Sequence, residues 1–242
     1  MIELERPRDA GALLRDSLVV YLGHFWTFLA LGALVVIPSE LIVNGVGLNQ
    51  LTARYDSSPT FAEAAIPAVV SYLVVAPLIT AICVYALRSI AAGGSPGARE
   101  AIVKGFEQFS PIFFAVLLAA LGILLGAVLI VPGIYLFVRW YFVPQTVVLQ
   151  GTHGPAALSR SAGLVQGLWW RTLGLIVLVN LLALLVVVVL GAPFTAAADR
   201  ADRAVWALVG EIVASSVVQP FGALFSTFLY FDLRARQTSV QL

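Results

Sequence analysis

Apolar residues run along this chain in blocks near twenty long, and the blocks set the first expectation. A helix needs ~20 apolar residues to cross a hydrocarbon core of ~30 Å. The first block spans about 25–46, FWTFLALGALVVIPSELIVNGV, and a polar stretch separates it from a second at about 65–87. From Pro111 to Gln150 the chain is apolar apart from Arg139 and two glutamines, Gln145 and Gln150. Forty residues of helix would reach ~60 Å, twice the core. Pro132-Gly133 is a turn signal and divides this block into spans three and four; one long kinked helix is the competing reading. Spans five and six cover about 172–192 and 205–231, joined by APFTAAADRADRA.

Three segments ahead of odd-numbered spans change period. Residues 8–24 place Leu14, Leu18, Tyr21 and Leu22 on one helical face. Residues 96–109 do the same with Ala98, Ile102, Phe106 and Phe109, against Arg99, Glu100, Lys104 and Glu107. Residues 155–169 align Leu158, Val165 and Leu168 against Ser159, Arg160 and Gln166. Three- and four-residue spacing with a charged opposite side predicts amphipathic helices in the membrane interface. Ser95-Pro96 and Gly154-Pro155 suit the starts of the second and third. The predicted unit, an interfacial helix followed by a span out and a span back, occurs three times. A faint echo, Ser17, Gly23, Phe25 and Trp26 against Ser161, Gly167, Trp169 and Trp170, suggests a threefold pseudo-repeat. The fold class expected is an all-α polytopic membrane bundle, one domain over 1–242, with about six transmembrane and three interfacial helices.

Composition agrees. Sixty per cent of residues are hydrophobic and 11% charged, with a mean hydropathy of +0.97, against about 25% charged in soluble domains. The net charge of +1, without a basic run, gives no electrostatic support for nucleic-acid binding. The lone Cys83 excludes an internal disulfide and reads as a small hydrophobe. Arginine bias orients the chain: Arg6, Arg8, Arg15, Arg88, Arg99, Arg160, Arg171, Arg234 and Arg236 fall on one side, only Arg54, Arg200 and Arg203 on the other. Both termini are therefore expected in the cytoplasm, in a prokaryotic cytoplasmic membrane.

Three charges lie inside apolar blocks: Glu40, Arg139 and Glu211. Charge in hydrocarbon needs a partner or a purpose. Counting residues along straight spans puts all three in the outer half of the bilayer, where Arg139 could engage both carboxylates. The cluster is either a ligand pocket or an ion pair that fixes helix register. Asn44, Asn180, Gln145 and Gln219 should face the interior. Arg160, Trp169, Trp170 and Arg171 could meet anionic headgroups at the inner leaflet, though positive-inside anchoring accounts for the same residues. His24 and His153 have no metal-ligand spacing around them, and Ser159, Arg160 and Ser161 have no base nearby in sequence. No metal, cofactor or catalytic set is expected.

From Pro132 to Gly174 the chain reads PGIYLFVRWYFVPQTVVLQGTHGPAALSRSAGLVQGLWWRTLG. Pro132, Gly133, Ile134, Tyr135, Arg139, Trp140 and Pro144, then Ala157, Leu158, Ser161, Gly167 and Trp170, resemble the hallmark of a prokaryotic six-span family, the membrane domain of glycerophosphoryl diester phosphodiesterase. Gln150 stands where that family often has a glutamate. The resemblance implies six spans and places Arg139 in the signature. It does not imply phosphodiesterase activity, since the hydrolase in such fusions is a separate soluble barrel. The expected function is a non-enzymatic module that binds membrane lipids, or a protein partner at the cytoplasmic face. The alternative is a small solute or lipid transporter.

Overall fold

A computed structural model describes residues 3–45, 54–55, 61–94 and 97–240, and all elements among them are helical. They are α1 (Ala10–Gly23), α2 (Phe25–Gly45), α3 (Phe61–Val70), a π-helical turn (Ser71–Val75), α4 (Ala76–Ala91), α5 (Ala98–Glu107), α6 (Phe109–Ala127), α7 (Val131–Trp140), α8 (Val143–Gln150), α9 (Gly154–Val165), α10 (Trp169–Ala201) and α11 (Ala204–Val240). Five stretches are long and apolar enough to cross a membrane: Phe25–Val43, Ala65–Ala91, Phe109–Ala127, Trp169–Ala201 and Ala204–Thr238. The expected fourth span is instead two short helices, α7 and α8, with a break at Tyr141 and Phe142. The Ser95-Pro96 cap and Asn44's side chain lie outside what is described.

α11 organises the bundle. It runs antiparallel to α10 through a turn at Asp202 and packs against α2, α4, α1 and α9. Its aromatic residues Phe225, Phe228 and Tyr230 are buried with Phe28 and Phe142. Close helix approach comes from small residues, as hydrocarbon gives apolar side chains little drive to turn inward. A Cβ on Gly32 of α2 would lie 2.6 Å from the carbonyl oxygen of Ser216.

The chain turns back between α6 and α7, so the hairpin holds and the single kinked helix does not. The reversal sits at residues 128–130, where Ile130 has φ 55°. Pro132 then occupies the first turn of α7, where its missing N–H costs nothing. Gly133 lets the two helices touch: a Cβ there would sit 2.7 Å from Ala127 Cα.

All three short helices form, but their buried faces differ from those expected. α1 buries Leu13, Ser17, Val20 and Tyr21 and exposes Leu18 and Leu22. α5 buries Ala101 and Gly105 against α4 and exposes Phe106. α9 buries Ala157 and Ser161 with Leu158 and Val165. The apolar stripes point outward, and small or polar residues make the seams. In water the stripe would turn inward; beside lipid it need not.

Gly133→Ala should destabilise the protein by about 1–3 kcal/mol, the ordinary range for overpacking. Gly174→Ala, in the interior of α10 with open space around its Cβ position, should be neutral or mildly stabilising. Thermal unfolding in detergent checks both.

Candidate functional site

The structure does not gather Glu40, Arg139 and Glu211. Gly32 of α2 faces Ser216 and Pro220 of α11, so Glu40, eight residues on, lies near the depth of Glu211. Arg139 lies elsewhere. Tyr135, one turn before it, accepts through its carbonyl from Trp169 Nε1 at 3.3 Å. Phe142, just after it, has its ring 6.4 Å from that of Tyr230. Glu211 is nineteen residues from Tyr230 on α11, ~29 Å at 1.5 Å per residue. Counting along a straight span misplaced Arg139 because α7 is pinned at both ends by other helices.

The dense charge is at the terminal end of the bundle, around a residue the sequence reading passed over. Asp232 is fully buried on α11. It accepts from the Arg8 backbone N–H at 2.6 Å, from Arg171 Nη1 at 2.6 Å and from Arg236 Nε at 3.0 Å. Arg171 and Arg236 also donate to the Arg8 carbonyl, each at 2.7 Å. The buried Arg8 guanidinium donates to Asp16 at 2.9 Å and lies over the Phe228 ring. Burial pushes the Asp16 carboxyl up, but hydrogen bonds from Arg8 and Arg6 outweigh it and hold the group below its usual range. The N-terminal segment, α1, α10 and α11 are thus tied at one point.

The break between α7 and α8 follows from Pro144, which has no N–H to give and crowds the preceding turn. Ser161, fully buried on α9, repairs it. Its hydroxyl donates to the Arg139 carbonyl at 2.8 Å and accepts from the Phe142 N–H at 3.2 Å. The two segments quoted for the family resemblance, one holding Arg139 and Pro144 and the other Ser161, are therefore one packed unit.

Two hollows flank this unit, with Trp140 lining both. One is a groove of about 450 Å³ between α7 and α9, where Arg139 meets Leu136, Leu158, Ser159 and Gln166. Arg139 Nη1 donates to Tyr135 Oη at 3.0 Å, with the guanidinium 5.2 Å from that ring's centre. No ion pair among the described residues includes it. The other hollow is a cavity of about 330 Å³ walled by α4, α6, α7, α8, α10 and α11.

Of the four residues expected at headgroups, Arg171 is held by Asp232 and Arg8. Trp169 is half-buried on Tyr135. Arg160 and Trp170 are exposed. Gln145 faces inward as expected, at 2% exposure. Compared with known protein families, curated proteins and solved structures, the chain matches none.

Asp232→Asn should cost about 3–5 kcal/mol, as for any broken buried pair. Asp202→Asn, removing an exposed pair with Arg54, should cost no more than about 1 kcal/mol. Detergent melting curves of the two variants make the comparison.

Proposed function

We propose that this multi-pass membrane protein is a non-enzymatic module that holds an anionic lipid in the groove between α7 and α9. The observation that carries the reading is the Arg139 guanidinium, half-buried, stacked on Tyr135 and facing a groove rather than a carboxylate. A guanidinium can grip a phosphate with two parallel hydrogen bonds. Ser159 and Gln166 add polar groups for the rest of a headgroup, and Leu136 and Leu158 a surface for the start of its chains. Tyr135 and Trp169 are the aromatic types that concentrate at membrane boundaries. With the arginine bias, this face is the cytoplasmic one and the membrane the cytoplasmic membrane of a prokaryote.

Kinship with the membrane domain of glycerophosphoryl diester phosphodiesterase belongs to the same proposal. So does a sixth crossing made by α7 and α8 together. The threefold reading draws support from packing: α1 lies on α11, α5 on α4, and α9 on α7 and α8. Each short helix thus leans on the return segment of the unit before it, around a closed ring. Transport of a small solute or a lipid is the second reading. It is favoured by the helix break beside a cavity inside the bundle.

The test is a titration of phosphatidylglycerol into phosphatidylcholine discs holding wild type, Arg139→Gln or Arg160→Gln, with retained lipid counted by native mass spectrometry. Loss of a charge-assisted contact predicts retention at least about tenfold weaker in Arg139→Gln and nearly unchanged in Arg160→Gln. Equal retention in all three contradicts the proposal.

A further inference from the structure

The cavity on the other side of Trp140 has a different chemistry from the Arg139 groove. None of its described lining residues is Asp, Glu, Lys, Arg or His. Its volume of about 330 Å³ lies at the lower end of ligand pockets, ~300–1,000 Å³. The walls are mostly aliphatic and aromatic, with carboxamides from Gln145, Asn180 and Gln219.

The donors of these amides are already used. Asn180 Nδ2 donates to the Ile176 carbonyl at 2.8 Å, and Gln219 Nε2 to Ser71 Oγ at 3.4 Å. Gln145 Nε2 donates to Ser226 Oγ at 2.9 Å. The Ser226 hydroxyl in turn donates to the Ala223 carbonyl at 3.0 Å. Because its hydrogen is spent there, Ser226 can only accept from Gln145, and this fixes which end of the amide is free. Gln145 Oε1 has no hydrogen-bond partner, on a side chain only 2% exposed. A buried acceptor left unmade is costly in an apolar interior, so the cavity is built to receive a donor.

The surroundings indicate how a ligand enters. α10 packs along α11 and touches α7, but shares no packed seam with α6 or α4. Val116 and Ala119 of α6 and Val179, Asn180 and Ala183 of α10 therefore face each other across the cavity. Beyond them α10 presents Leu181, Leu184 and Leu185, all more than half exposed. This side opens onto the surface that an apolar helix gives to lipid. A molecule arriving there is hydrocarbon-soluble, and one satisfying Gln145 carries a neutral donor.

We propose that the cavity binds an uncharged lipid alcohol, its hydroxyl donating to Gln145 Oε1 and its chain leaving between α6 and α10 toward the bilayer. The site is independent of the anionic lipid on Arg139, since it uses the opposite side of Trp140 and no charge.

A brominated octadecanol in phosphatidylcholine discs, with its methyl ether as control, tests this through quenching of Trp140, the indole that lines the cavity; a Trp140→Phe sample isolates that signal. Wild type should show saturable quenching by the alcohol, with the ether about tenfold weaker, as fits one hydrogen bond. Gln145→Leu removes the orphan acceptor and should level the two quenchers. Ala183→Phe, which leaves the Gln145–Ser226 network intact, should reduce quenching by both. Equal quenching by alcohol and ether in wild type overturns the proposal. So does a preference that survives in Gln145→Leu, or quenching that never saturates because only water fills the cavity.

Discussion

Asp232 is sealed from solvent, and a sealed carboxylate dictates what must surround it. A bare charge in an apolar interior is far costlier than any single packing contact, so its partners must be in place whenever the protein is folded. Those partners are the Arg8 amide and the guanidinium groups of Arg171 and Arg236. They belong to the N-terminal segment, the first turn of α10 and the last turns of α11. One side chain thereby fixes the register of the α10–α11 hairpin and the path of the chain into α1. Helices in lipid lack a strong hydrophobic drive to associate, which makes a point of this kind more decisive here than in a soluble bundle.

With that end closed, the rest of the bundle can be loose where function needs it. α10 is held by α11 along its length and by α7 near its start, and this leaves its other flank free. The α7–α8 break is the second consequence. Pro144 opens the helix, Ser161 satisfies the freed backbone, and the unit turns a cationic face to α9 and a neutral one to the cavity. Trp140 stands between the two. The proposed lipid sites are thus two sides of one repaired helix break, one suited to a phosphate and one to a hydroxyl.

The spans were legible in the sequence because hydropathy directly reports solvent matching, and five of the six expected stretches appear as long apolar helices. The hairpin at Pro132-Gly133 was legible from turn chemistry, although the reversal itself lies three residues earlier. The faces of the short helices were not legible, since an apolar stripe such as Leu18 and Leu22 can serve lipid as well as core. The three-charge cluster failed on depth, which residue counting gives only for a helix that runs straight. Asp232 looked like one charge among several after the last span. A register argument could have found it: Arg171 and Asp232 lie 31 and 30 residues from Asp202, so a hairpin turning there sets them side by side. No sequence pattern marks Gln145 as the amide with a free oxygen, because that depends on Ser226 and Ala223 arriving beside it.

The central claim is that the bundle opens sideways to lipid between α6 and α10. A nitroxide at position 183, in a Cys83→Ala background reconstituted in phosphatidylcholine, measures this directly by its collision rates with oxygen and with a water-soluble nickel complex. The account predicts frequent collision with oxygen and little with nickel, close to the behaviour of the same label at exposed position 185. Dominant collision with nickel would make the cavity a water-filled path, contradict the account and favour solute transport. Protection from both reagents would contradict it as well, by showing that the gap is closed.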